Sequence, residues 1–160
     1  MTDKLGDIMG VATDAILVFG ASFEDGFEFP WGDMEVDDWW MEVTGFVPEA
    51  EYPFDEQGNY KIGFSRNSRK VDAFYDEKNR WMESHPMPVR IVSHCSDEYP
   101  MFFIAAKEEM TAKRGSPRQV IPSLMLDTQE MEKTIREFLE RFGIEYAGEI
   151  CWWMASDCSQ

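Results

Sequence analysis

The apolar residues of this chain are gathered into short runs at positions 15–19, 89–95, 101–106 and 150–155, each five to seven residues long. A run of that length suits a strand and falls far short of the roughly 20 apolar residues needed to cross a bilayer. The chain is therefore expected to build a sheet inside a globular domain, with no membrane partner. Its first residues, MTDKLGDIMG, carry neither the basic flank nor the long apolar stretch of a secretory signal. Three cysteines, Cys95, Cys151 and Cys158, cannot all pair within one chain, and 44% hydrophobic residues supply a core without a disulfide frame. Reduced thiols and a cytoplasmic location follow as expectations.

Between the strand-length runs lie three segments of helical period. In residues 127–142, Met131, Ile135, Phe138, Leu139 and Phe142 recur on one face, with Asp127 and Glu130 placed to cap the start and Gly143 to stop the end. In residues 68–84, Val71, Phe74, Lys78, Trp81 and Met82 share a face up to Pro86. Lys78 there is expected to lay its stem over that face and carry its ammonium to water. The shorter segment 34–44 sets Val36, Trp39, Trp40 and Val43 on one side, with Gly45 and Pro48 beyond.

Residues 96–100, Ser-Asp-Glu-Tyr-Pro, offer a polar turn that would fold the second and third runs into a hairpin. The last run is apolar on both alternating faces, Ile150, Trp152 and Met154 against Cys151, Trp153 and Ala155. Such a strand is expected to be central or covered on both sides. The pattern predicts an α+β fold: a single small domain over residues 1–160, with a sheet of about four strands, two main helices and a short acidic helix. No repeat, low-complexity tract or Pro/Gly/Ser-rich linker divides the chain.

Charge is distributed unevenly. Residues 1–57 hold 15 carboxylates against Lys4 alone, a net of −14, and the remaining residues bring the total only to −16. This strongly acidic, aromatic-rich subregion opposes direct binding of nucleic acid through phosphate repulsion and attracts a basic protein surface. Residues 20–33 mix Phe23, Phe27, Phe29 and Trp31 with Glu24, Asp25 and Glu28, punctuated by Gly26, Pro30 and Gly32. The rings would either lid the core or stand out as contact anchors, and the core reading is favoured because large aromatics are mostly buried.

Three segments carry a resemblance: His94-Cys95-Ser96-Asp97-Glu98-Tyr99-Pro100-Met101, then Ala112-Lys113-Arg114-Gly115-Ser116-Pro117, and Cys151-Trp152-Trp153-Met154-Ala155-Ser156. Over residues 89–156 the chain resembles small uncharacterised proteins of bacteriophage genomes. The resemblance implies action on a host component and assigns no activity and no site residue.

Signatures of catalysis are absent from the sequence. There is no phosphate-binding Gly-rich loop ending in Gly-Lys-Ser/Thr, no dinucleotide fingerprint and no serine-hydrolase elbow. His94 and Cys95 are neighbours on an expected strand, so their side chains point to opposite faces and cannot form a nucleophile and base pair. The histidines and cysteines lack the paired spacing of a zinc site. Asp33, Glu35 and Asp37 match the alternating start of a calcium loop, but Asp38 stands where the turn glycine belongs and Thr44 where the final glutamate belongs. No cofactor and no metal site is expected, and the chain reads as a binding protein more than as an enzyme.

The leading expectation is an acidic binding protein that presents a carboxylate and aromatic surface to a basic protein partner. Its contact residues would be Asp33, Glu35, Asp37, Asp38, Trp39, Trp40 and Glu42, the carboxylates steering the encounter and the rings anchoring it. In its sharpest form this is a phage-type inhibitor that imitates nucleic-acid charge toward a host nucleic-acid-binding protein; a plain solvated charged surface is the bland counterpart. The alternative is a small enzyme or ligand-binding protein that holds an anionic metabolite with Arg66, Arg69, Arg114 and Arg118, near Lys61 and Lys70. The bland counterpart there is an ion-pair surface for the N-terminal carboxylates. A homo-oligomer joined through the acidic and basic stretches is a third reading.

Overall fold

The alternation of apolar runs and amphipathic segments resolves into four strands and three helices. In a computed structural model that describes residues 14–55, 57–66, 68–96, 99–112, 118–119 and 128–157, they run as β1 (Asp14–Phe23), α1 (Val36–Thr44), α2 (Arg69–Ser84), β2 (Arg90–Ser96), β3 (Tyr99–Ala112), α3 (Thr128–Arg141) and β4 (Cys151–Asp157). The fold is α+β, and these elements fall into two compact units, residues 31–87 and the rest.

The strand-bearing unit holds the sheet, in the order β4-β1-β3-β2, with all long pairings antiparallel. The sheet curls until β2 and β4 meet through a single parallel pair, Cys95 with Asp157. The expected hairpin is present: Ser96 pairs with Tyr99, so the connection shrinks to Asp97 and Glu98, which lie outside the described residues. Inside the curl, Ile16 and Val18 of β1 pack with Val92, Phe103 and Ala105, and Trp153 and Ala155 of β4 close the cluster.

Register shifts between Val18 and Gly20, the kind of irregularity that tightens a strand's coil. At that point β1 and β3 approach so closely that a Cβ on Gly20 would lie 2.5 Å from the Ile104 carbonyl oxygen. The Trp153 indole donates to the Gly20 carbonyl at 2.9 Å and fixes β4 at the same place.

The outer face of β1 and β3 buries Phe19, Ala21 and Ile104, and α3 packs on these two strands. Its buried residues Ile135, Phe138 and Leu139 are those the 3.6-residue period selects. The helix ends as expected at Gly143, whose φ of 64° lets the Ile144 amide reach back to the Leu139 carbonyl at 2.9 Å. Asp127, the expected cap, lies outside the described residues. The aromatic loop folds down in part: Phe23 is buried, Phe29 is half-buried against Phe102, and Phe27 stays exposed on top of them, the three rings in contact at centroid distances of 4.6 to 5.1 Å.

β4 is flanked on both sides, by β1 along its length and by β2 where the sheet closes. Trp153 and Ala155 face the enclosed cluster, and on the other face Ile150 is buried and Trp152 is half-buried against Phe19 at 5.5 Å. The expected cover on both faces holds as far as Trp152 and fails at Met154, which is 82% exposed. Among the described residues no helix is long and apolar enough to cross a membrane.

Candidate functional site

The unit of residues 31–87 contains α1, α2 and the most acidic part of the chain. Residues 31–60 hold nine carboxylates and no lysine or arginine. α1 stops at Gly45, where a φ of 83° allows the Phe46 amide to bond the Met41 carbonyl at 2.9 Å. α2 starts at Ser68, whose hydroxyl accepts from the Val71 amide at 3.3 Å, and ends at His85 before Pro86.

Side-chain hydrogen bonds tie α1 and the segment after it to α2. The Trp40 indole donates to the His85 carbonyl at 2.7 Å. The Trp81 indole donates to the Thr44 hydroxyl at 3.1 Å, and that hydroxyl donates to the Trp40 carbonyl at 2.6 Å. Glu77 of α2 accepts from the backbone amides of Glu49 and Ala50 at 2.9 and 3.1 Å, which pins the segment after α1.

Beside this seam lies a groove of about 430 Å³. α1 contributes Asp38, Met41 and Glu42, α2 contributes Phe74, Tyr75 and Lys78, and the intervening chain contributes Phe46, Pro48, Tyr52 and Phe54, with Met34 at one end. Tyr52 stands edge-on to Phe74 at 5.3 Å, so the rings brace one another. Met34, Tyr52 and Tyr75 remain 40 to 50% exposed, which makes the wall both apolar and accessible. At its rim the Lys78 ammonium pairs with the Asp38 carboxylate at 2.7 Å. The ammonium thus reaches a carboxylate from α1, where water alone was expected.

The structure sorts the expected partner-binding residues into two groups. Asp33, Glu35, Asp37 and Glu42 are exposed, and Asp38 is half-buried. Trp39 and Trp40, expected as anchors, are instead buried at 6% and 3% exposure. Their rings belong to a chain of contacts from Trp31 through Trp39 to Trp40, and the Trp40 N–H is spent on a backbone carbonyl. Only Asp38 and Glu42 of the expected set line the groove. The exposed rings that line the groove are Tyr52 and Tyr75, which the sequence did not single out; the part that was legible is the i, i+4 step from Asp38 to Glu42, which places both carboxylates on one side of α1.

The residues of the alternative reading belong to different units. Arg66 and Arg69 are exposed on the 31–87 unit and line no part of the groove, while Arg118 lies in the strand-bearing unit and reaches the Thr111 carbonyl at 3.5 Å. Arg114 lies outside the described residues. Ser68 caps the start of α2 with its own hydroxyl, so one donor that a phosphate would use there is already engaged. Lys70 sits over the Phe64 ring at 5.0 Å. Among the described residues no group of three or more His, Cys, Asp or Glu side chains could hold a metal ion. Cys151 is a free, half-buried thiol, and Cys158 lies outside the described residues.

No family model, curated protein or solved structure matches this chain.

Proposed function

We propose that this chain is an acidic binding protein that uses the 31–87 unit to engage a basic protein partner in the cytoplasm. The observation that carries the reading is the groove between α1 and α2, a wall of methionine and aromatic side chains rimmed by Asp38 and Glu42 within the most acidic stretch of the chain. Apolar wall and anionic rim divide the work of recognition: burial against the rings supplies affinity, and the surrounding carboxylates speed and orient the encounter. Asp33, Glu35 and Asp37, exposed just before and at the start of α1, extend the same field. A phage-type inhibitor that occupies the nucleic-acid site of a host protein by imitating its charge is the sharpest form of this reading, in line with the resemblance of residues 89–156.

The test uses the intact chain immobilised against a host lysate at low and high salt, beside the folded variant E35Q/D37N/E42Q. Asp38 is left in place because its neutralisation would also strip Lys78 of its partner. A basic protein should be retained at low salt, associate about tenfold more slowly with the variant, and be displaced by duplex DNA if charge imitation is the mechanism. Retention that is equal for both proteins and indifferent to salt would refute the proposal.

A further inference from the structure

The groove's own charge count restricts what can enter it. Two carboxylates, Asp38 and Glu42, face one ammonium, Lys78, which leaves one negative charge uncompensated. Among the described residues the Glu42 side chain makes no hydrogen bond or ion pair. A purely apolar insert would strip water from that carboxylate and give nothing back, at a cost that rises with burial. The complementary occupant therefore brings one positive charge together with apolar length. The Lys78–Asp38 contact is an internal precedent: the rim already receives a cation at 2.7 Å on the end of an aliphatic stem.

Shape narrows the choice further. A cavity of about 430 Å³ is near the lower end of ligand pockets, roughly 300 to 1,000 Å³, and takes side chains, not a whole helix. Its exposed rings, Tyr52 and Tyr75, offer π faces to a cation. A guanidinium is planar, weakly hydrated and forked, so it stacks on a ring and bonds a carboxylate edge at once, which a compact ammonium does not.

We propose that the α1–α2 groove receives an arginine side chain of the partner, with its guanidinium on Glu42 and a tyrosine face and its stem along Met41. The inference rests on the reading of this chain as an acidic binding protein and assigns that reading a specific contact.

The experiment measures anisotropy of a fluorescein-labelled Gly-Leu-Arg-Leu-Gly peptide titrated with the full chain. Its citrulline analogue has the same outline without the charge. The arginine peptide should bind, with the citrulline peptide weaker by about tenfold or more. E42Q, a change at an exposed site checked for folding by circular dichroism, should weaken the arginine peptide by a similar factor. The control variant D76N/E83Q should change it less than about twofold, because these exposed α2 residues of the same unit line no part of the groove.

Equal losses in E42Q and the control variant would overturn the groove contact and leave the broad acidic field as the binder. Equal affinity for arginine and citrulline peptides, or for a lysine peptide, would overturn the guanidinium. Failure of the arginine peptide alongside retention of a basic protein on the immobilised chain would sink this inference and spare the functional reading. Failure of both would sink both.

Discussion

Replacing Gly20 by alanine tests whether the closure of the sheet depends on a missing side chain. Gly20 is absent from the residues with positive φ, so an alanine there meets no backbone strain, and with open space the change would stabilise the protein by about 0.4 to 1 kcal/mol through the unfolded chain. Space is what is lacking. The added methyl would fall 2.5 Å from the Ile104 carbonyl oxygen and 2.9 Å from the Ala105 Cα, where ordinary contact begins at 3.4 Å. Both obstacles are backbone atoms of β3, held in register on either side by pairings from Ala15 with Ala112 to Phe23 with Phe102. They cannot rotate away as a side chain would.

The strands must separate, which loosens the Trp153 bond to the Gly20 carbonyl as well. Overpacking of this kind costs about 1 to 3 kcal/mol, so the net expectation is a loss of about 1 kcal/mol after the entropic gain is set against it. For a chain of this size that lowers the melting temperature by about 2 to 4 °C. Urea titration followed by far-ultraviolet circular dichroism reads it directly. A variant as stable as the parent, or more stable, would refute the close approach.

Two further substitutions probe the helices. Phe138, 2% exposed and 4.9 Å from Phe142, is the most buried ring of α3, and F138A should cost about 3 to 5 kcal/mol in the same titration; a change well below 1 kcal/mol would show the wrong face was assigned. W40A removes a buried ring and leaves the His85 carbonyl without its indole donor, so a loss of about 3 to 5 kcal/mol is expected in thermal and denaturant unfolding, against almost none for E42Q; a W40A variant that unfolds like the parent would return Trp40 to the surface.

Much of the fold was legible because local pattern and tertiary fold agreed. In α3 the period, the stop at Gly143 and the buried residues all coincide with the sequence reading. Strand ends were less legible because backbone pairing, unlike burial, leaves no apolar mark. β1 continues through Gly20, Ala21 and Ser22, small residues that carry little apolar signal, Gly20 being held small by the close approach of β3, and β3 continues to Ala112 with Glu109 to Ala112 pairing Val18 to Ala15. The double apolar pattern of β4 was legible in part: Trp153 faces the enclosed cluster and Trp152 packs against Phe19 on the other side, while Met154 stands in water, since covering part of a strand's face does not require covering the rest.

The site was half legible for a related reason. Net charge is a property of composition, so the acidic stretch was visible at once, and the four-residue step from Asp38 to Glu42 placed both on one side of α1. What composition could not say is which aromatics stay outside, because a tryptophan reads alike as an anchor and as a core residue until its N–H finds a partner. Trp40 finds the His85 carbonyl, 45 residues away, and is thereby drawn inside. Tyr52 and Tyr75 become the accessible rings because Phe74, between Val71 and Lys78 on α2, takes the buried place at the base of the same wall. The groove is thus a product of how α2 docks on α1. A carboxylate rim written in local sequence acquires an apolar wall only through contacts tens of residues apart, so the charge could be read early and its pocket could not.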